Sequence, residues 1–355
     1  MKKNILTLLA LGVLIFVTSC KNDSIEFGDY DYQTVYFARQ TPIRTITLGE
    51  DVYSTDLDNL HQFQVYARVA GVESNKSDRT INLTVDTALC KGLVYSDGSA
   101  VKPLPTTYYS LSGTTIKIYS GEVTDCITVQ LTDAFFNDTA STKLTYVLPL
   151  RMISASDSIL SGTAKSGVTN PSLVKSTDWD VQPMNYTLYG LKYKNKYHGC
   201  WLCKGNDKYT TNGKDSTVSR VTEDWEDASL VYLTTGGLKQ SRYSISAKLN
   251  TLDEKGKNTV SEKTCSLILN FDANDSCTVT TDTPGCTATG SGQWTYHGLP
   301  LAWNKKDRDK LSLNYTVTFT YTSGTGQVTT TRTTTETLCM RDRQNKLEDF
   351  TYTIK

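Results

Sequence analysis

Apolar and polar residues alternate with a period of two along most of this chain. No window of comparable length shows the three-and-four spacing of an amphipathic helix. Ile81-Asn82-Leu83-Thr84-Val85, Ile116-Lys117-Ile118 and Ile127-Thr128-Val129-Gln130-Leu131 each put their apolar side chains on one face. Leu144, Tyr146, Leu148, Leu150 and Met152 continue the pattern, and Pro149 predicts an edge strand or a bulge. In the second half Tyr243, Ile245, Ala247 and Leu249 alternate with Ser244, Ser246 and Lys248. The longest run places Leu311, Leu313, Tyr315, Val317, Phe319 and Tyr321 on one face. Ser96-Asp97-Gly98, Gly236-Gly237 and Gly324-Thr325-Gly326 supply turns. The pattern predicts an all-β protein.

One segment breaks the alternation. Lys2 and Lys3 precede an apolar run from Ile5 to Val17, and Val17-Thr18-Ser19-Cys20 closes it with small residues before a cysteine. This is the pattern of a bacterial lipoprotein signal, in residues 1–19, with Cys20 as the acylated first residue of the mature protein. The run is too short to span a bilayer, which takes about 20 apolar residues. The lipid is therefore the expected membrane attachment, and residues 20–30, with Glu26 and Asp29, form a tether. From Ser154 to Lys175 the chain turns rich in Ser, Gly, Thr and Asn and contains Asn170-Pro171. This predicts a first domain over 31–155, a linker over 156–184 and a second domain over 185–355. The first domain holds no tryptophan, so the Cys-Trp-Cys signature of antibody domains is missing. An Ig-like β-sandwich of another type suits its short strands.

Charge and chemistry then narrow the class. Thirty-seven basic residues balance thirty-seven acidic ones, which leaves no field to attract nucleic acid. There is no G-x-S-x-G, and His61, His198 and His297 have no recognisable nucleophile partner. Asp224-Trp225-Glu226-Asp227 and Asp307-Arg308-Asp309 read as solvated turns rather than as a glycosidase pair. His198, Cys200 and Cys203 do not share one strand face, so no metal site is assigned. No catalytic residue and no cofactor are expected. Eight cysteines remain after Cys20; Cys90 with Cys126 is a candidate disulfide, and the pairing of the other six is open. The aromatic residues carry the remaining functional signal, because sugar rings stack on Trp and Tyr beside hydrogen-bonding groups. Trp225, Trp294, Tyr296, Trp303 and Asn304 are the candidate ligand-binding residues, against a core role for each tryptophan.

Val35-Tyr36-Phe37, Tyr108-Tyr109-Ser110-Leu111, Ile116-Lys117-Ile118-Tyr119-Ser120-Gly121-Glu122 and Ile127-Thr128-Val129 also carry a resemblance. Together with the lipobox they resemble the Ig-like N-terminal domain of Bacteroidetes surface lipoproteins from glycan-utilisation loci. In that group the domain precedes an endo-β-N-acetylglucosaminidase barrel or a carbohydrate-binding module. The glycosidase string DxxDxDxE is not present in this chain. Tyr193-Lys194-Asn195-Lys196-Tyr197-His198-Gly199 and Gly292-Gln293-Trp294-Thr295-Tyr296 resemble an uncharacterised β-rich C-terminal domain of the same group, a lipocalin-like barrel or a sandwich. The residues after Cys20 resemble that phylum's surface-export signal, which implies an outer-membrane lipoprotein facing outward. The resemblance implies a non-catalytic glycan-binding lipoprotein. The alternatives are a display or adhesion protein making protein contacts, and a barrel that carries a small apolar ligand.

Overall fold

The structure, a computed structural model, describes residue 30, residues 32–253 and residues 255–355. Cys20, the signal segment and the tether up to residue 29 lie outside the described residues. The chain forms a β-sandwich and a β-barrel, so the all-β expectation holds. No helix of the described residues is long and apolar enough to cross a membrane.

One sheet of the sandwich runs Ser158–Ile159, Thr34–Tyr36, Gln62–Ala70, Thr124–Leu131, Tyr109–Leu111. The other runs Glu348–Asp349, Pro42–Thr47, Tyr186–Lys194, Tyr146–Ala155, Arg79–Val85, Thr115–Ile118. The alternating residues read from the sequence meet between them: Phe63, Val65, Ile127 and Val129 against Ile81, Leu83, Leu148 and Leu150. Pro149 is not on an edge. It lies in an interior strand, opposite Leu188, just past the point where the ladder to Arg79–Val85 ends at Leu150 and Val85. Its missing N–H therefore costs no ladder bond there.

The disulfide expected between Cys90 and Cys126 is not formed; both are free. Cys126 alternates with the core residues Ile127 and Val129 and so faces out of the first sheet. Cys90 packs with Val147, Leu188 and Phe350 on the far side of the second sheet. The whole thickness of the sandwich separates the two thiols, beyond the reach of a bridge.

The domain limits also differ from those expected. Tyr186–Lys194, read as the start of the second domain, is a central strand of the sandwich, antiparallel to Tyr146–Ala155 and parallel to Pro42–Thr47. Its Leu191 and Tyr193 belong to the sandwich core, and the Tyr193 hydroxyl donates to the Phe136 carbonyl at 2.8 Å. The chain end returns as well. Glu348–Asp349 pairs with Pro42–Thr47, Tyr352–Ile354 pairs with Leu93–Tyr95, and Phe350 is buried among sandwich residues. The barrel is thus an insertion between two segments of the sandwich.

Of the two forms expected for the second domain, the barrel is the one found. Eight antiparallel strands follow one another: Gly199–Thr211, Ser229–Gly237, Gln240–Leu252, Asn258–Phe271, Ser276–Thr281, Cys286–Trp303, Lys306–Ser323 and Gly326–Asp342. The last pairs with the first from Cys200↔Asp342 to Thr211↔Thr330 and closes the ring. Leu267, Leu269, Leu313, Val317 and Phe319 fill the interior. Gly292 makes room for them: a Cβ there would meet Leu313 Cδ2 at 2.5 Å and Cys277 Sγ at 2.9 Å.

The wall is incomplete along one line. The extra strand Lys214–Ser219 pairs with Asn206–Thr211 but, among the described residues, with no strand on its other side. Ser229–Gly237 joins Gln240–Leu252 only from Gly237↔Gln240 to Leu233↔Tyr243. From Ser244 onward, Gln240–Leu252 has a ladder on one side alone. All six residues of Lys214–Ser219 are exposed, so this strand stands away from the barrel and leaves a seam in its wall.

Candidate functional site

The seam opens onto a cleft of about 760 Å³, within the range of ligand sites. Asp207, Tyr209 and Thr211 form one wall, Ser246, Lys248, Leu249 and Asn250 the other, with Arg220, Thr330 and Arg332 between them. Alternation puts Asp207 and Tyr209 on the same inward face as Trp201 and Cys203. Asp207 is thereby carried into the lumen, where an isolated carboxylate would be costly.

Two guanidinium groups compensate it. Arg220 donates from Nε to Asp207 Oδ2 at 3.0 Å and from Nη2 to Oδ1 at 3.1 Å. Arg332 Nη2 donates to the same Oδ1 at 2.9 Å, and Thr334 Oγ1 at 2.8 Å. Burial alone would raise the Asp207 pKa. The Arg220 hydrogen bonds, the Arg332 charge and the Thr334 hydroxyl outweigh it and hold the carboxyl below its ordinary range. A second carboxylate, Glu336, receives Arg220 Nη2 at 2.9 Å, the Tyr315 hydroxyl at 3.1 Å and the Cys203 thiol at 3.3 Å. Burial and the neighbouring Glu336 push the Cys203 thiol up to about 12, so it is a hydrogen-bond donor and not a nucleophile.

Two cations and two anions therefore cancel in the lumen, each already paired. One donor is left over. Arg332, with a side chain 6% exposed, spends Nη1 on the Ser246 carbonyl at 3.1 Å and Nη2 on Asp207. Its buried Nε–H has no acceptor among the described residues. Its guanidinium also lies 5.7 Å from the centre of the Tyr209 ring, which it holds at the cleft wall. The arrangement can hydrogen-bond a neutral polar molecule and offer it one aromatic face.

The residues singled out in the sequence lie elsewhere. Trp294 is buried in the barrel core, edge-on to Tyr197 at 5.9 Å, with Lys196 Nζ 4.3 Å from its ring. Trp225 and Trp303 come together outside the barrel wall, both half-buried around Leu202, Ala228 and Cys339. Lys204 sits 4.6 Å from the Trp225 ring and Arg341 5.7 Å from the Trp303 ring. This small satellite core pins the loop after Arg220 and the hairpin tip onto the wall. Asn304 and Lys305, at φ 51° and 55°, form the tight turn of that hairpin.

Of the aromatic candidates, only Tyr296 is well exposed. It stacks on His297 at 3.9 Å, and its hydroxyl donates to Glu50 of the sandwich, which also meets His297 Nε2 at 2.9 Å. Together with Asn304, His297 lines a crevice of 550 Å³ between the two domains. At the crevice floor Arg343, 1% exposed, donates to the Glu50 and His198 carbonyls at 2.6 and 3.0 Å and reaches Asp309 at 3.4 Å. Tyr296 thus serves a joint between domains, and Asn304 borders the crevice beside it. No group of three or more metal-ligating side chains occurs among the described residues.

The cleft residues Asp207, Tyr209, Arg220 and Arg332 were not legible as a site. Asp207 and Arg332 lie 125 positions apart and meet only because the last strand closes on the first. The one local signal is a charged residue at an inward position of each strand.

The architecture defines a class: a β-sandwich carrying an inserted eight-stranded barrel with a polar seam. A family model of an N-terminal domain matches residues 30–159, and a domain of unknown function, DUF5627, matches residues 196–344. A crystal structure of a protein of unknown function from Bacteroides ovatus superposes with a TM-score of 0.80 at 34% identity. That superposition covers 92% of this chain and 100% of the other. The chain belongs to the family of that Bacteroides ovatus protein. A second structure of unknown function from Bacteroides ovatus covers 89% of this chain and 99% of its own, at 15% identity and a TM-score of 0.41. No curated protein matches the chain.

Proposed function

We propose that this protein is a non-catalytic carbohydrate-binding lipoprotein, anchored through Cys20 at the outer membrane and facing outward, with the barrel seam as its ligand site. The observation that carries the reading is the seam itself. It is an open cleft whose floor charges are paired with one another, with an aromatic wall at Tyr209 and a polar rim that includes Asn212, Ser216 and Asn250. Neutral polyhydroxyl ligands satisfy such a site: the rim side chains Asn212, Ser216 and Asn250 exchange hydrogen bonds with hydroxyls, and a ring C–H face covers Tyr209. An apolar cargo suits it poorly, because the apolar part of the lumen is filled by side chains and the open part is lined by ions. The paired lumen charges also lack the marks of a catalyst: Cys203 is protonated, and Asp207 and Glu336 are held by guanidinium groups.

A glycan array probed with the soluble chain and with Tyr209→Ala tests this reading. Wild type is expected to bind neutral glycans, and Tyr209→Ala to lose about tenfold in affinity, the loss of one ring contact worth up to about 1.5 kcal/mol. Trp303→Ala, outside the seam, is expected to bind as wild type does. A folded wild-type protein that binds no glycan overturns the proposal. Anchoring is tested separately: radiolabelled palmitate should enter the wild-type protein in cells and not Cys20→Ala.

A further inference from the structure

We propose that a second cavity, between the sandwich and the barrel, binds an oxyanion, free or carried as a sulfate, phosphate or carboxylate group on a sugar. This site is separate from the seam, and it stands whether or not the seam holds a glycan.

The cavity, of about 720 Å³, lies where the turn Thr139–Thr142 and the end of Tyr186–Lys194 meet the barrel strand Ser229–Gly237. Lys143, Lys192, Lys194, His198 and Arg242 line it, and no carboxylate does. Lys143 is exposed and the other four are half-buried, so all five reach solvent. Two of the charges are already matched. Lys192 Nζ meets Glu348 Oε2 at 2.7 Å, and Arg242 grips both oxygens of Asp282 at 3.0 and 2.7 Å. The other two are not. The Lys143 ammonium has no partner among the described residues. Lys194 Nζ donates to the Arg343 and Gln344 carbonyls and to Asn345 Oδ1, three neutral oxygens. Asp51 and Glu348 act on Lys194 only through space, and Asp51 is itself held by Asn345 Nδ2 at 2.6 Å. The excess is felt at the cavity wall: after burial, the charges of Lys194, Arg343 and Lys192 are what lower the His198 pKa.

His198 also supplies a directed donor. Its Nδ1 accepts from the Thr235 N–H at 3.1 Å, which places the ring proton on Nε2. Nε2 has no acceptor among the described residues, and it is not one of the side-chain nitrogens closed off from solvent. Thr139 and Thr234 bring exposed hydroxyls to the same cavity. A free ammonium, a neutral imidazole N–H and hydroxyls are donors that the oxygens of an anion accept together. A neutral sugar would leave the two charges uncompensated, and a cation would be repelled. Lys143 belongs to the sandwich and Thr234 to the barrel, so a bound anion would bridge the two.

The test is a titration of the intact protein with inorganic sulfate, inorganic phosphate, glucose 6-sulfate and glucuronate. Binding is read by calorimetry and by the His198 Nε2–H signal in nitrogen-15 NMR at pH 7, with sodium chloride at matched ionic strength as control. At least one oxyanion should bind as a single equivalent and move the Nε2 signal, and chloride should do neither. Tighter binding of the inorganic ions assigns a free anion, and tighter binding of the sugar-borne groups assigns an acidic saccharide. Lys143→Ala should weaken binding by about threefold to fivefold, the worth of one exposed ionic contact. His198→Asn keeps an acceptor for the Thr235 N–H and removes the Nε2 donor. It should weaken binding by about tenfold while its circular dichroism stays as in wild type. Lys76→Ala takes the same charge from a surface outside the cavity and should leave affinity within about twofold. An Nε2 signal that none of the anions moves overturns the proposal, as does an equal loss in Lys143→Ala and Lys76→Ala. Neither result bears on the seam.

Discussion

Two carboxylates and two guanidinium groups inside a barrel are costly to desolvate, and their pairing recovers that cost only while every partner is present. Removing Arg220 takes donors from Asp207, Glu336 and Cys203 at once. Arg220→Ala is expected to lose about 3 kcal/mol in urea unfolding at neutral pH, the lower end for a broken buried pair because Arg220 is partly exposed. The Asp207 carboxyl is held below its ordinary range, so its contribution is present above about pH 4 and is lost as pH falls through the folded value. The deficit of Arg220→Ala should accordingly shrink in acid. His198 gives the second pH test. Burial first, then Lys194, Arg343 and Lys192, lower its pKa to about 3, and its Nδ1 accepts from the Thr235 N–H at 3.1 Å. The folded protein therefore holds this imidazole neutral while the unfolded chain protonates it. Stability is complete above about pH 6.5 and falls as pH drops toward 3, by up to about 4 kcal/mol. Nitrogen-15 NMR should find His198 neutral, with the proton on Nε2, at pH 5; a charged ring there would refute the assignment. Differential alkylation should recover Cys90 and Cys126 as unlinked thiols. These residue-scale features are the part that sequence reading reached least. Alternation marks which residues point inward, but which inward charges will meet depends on ring closure.

At the scale of elements, the clearest strands in the sequence are those buried on one face along their whole length, such as Lys306–Ser323. Two elements escaped. Lys214–Ser219 has no buried face and therefore no apolar period to read. Gly326–Asp342 points Thr330, Arg332, Thr334 and Glu336 inward, so its period is polar and was hidden among threonines. The seam should be visible in hydrogen exchange. Amides of Lys214–Ser219 are expected to exchange orders of magnitude faster than those of Lys306–Ser323, which has a ladder on each side. Tyr186–Lys194 was placed at the start of the second domain, whereas it pairs with two strands of the sandwich. Its alternation is the same whichever sheet receives it. Gly190 in this strand lies against the returning chain end, where a Cβ would meet Leu144 Cδ1 at 2.6 Å and Phe350 at 3.2 Å. Gly190→Val should cost about 1–3 kcal/mol through overpacking, read as a lower urea midpoint with an unchanged slope.

At the scale of the molecule, composition and charge balance agreed with a β-rich chain, whereas the insertion of one domain into the other could not be read. Each domain's strand signals are local, and the pairing of Tyr352↔Tyr95 through Ile354↔Leu93 joins strands far apart in the chain, with the whole barrel between them. The joint is extensive: Arg343 bonds the Glu50, Lys196 and His198 carbonyls, and Lys194 Nζ donates to Arg343 O at 2.8 Å. Sandwich and barrel should unfold in one calorimetric transition. Removing residues 346–355 should lower the melting temperature and separate the transition in two; a single unshifted transition would count against the coupling.

The returning strand also decides where tension goes. Thr34–Tyr36 and Tyr352–Ile354 both belong to the sandwich, so a pull between the two chain ends loads the sandwich and leaves the barrel outside the line of force. A pull between a held ligand and the amino-terminal end is different. It enters through the barrel and crosses the Arg343 joint before it reaches the sheets. The same molecule would thus yield first at the Leu93–Tyr95 ladder in one geometry and at the inter-domain joint in the other.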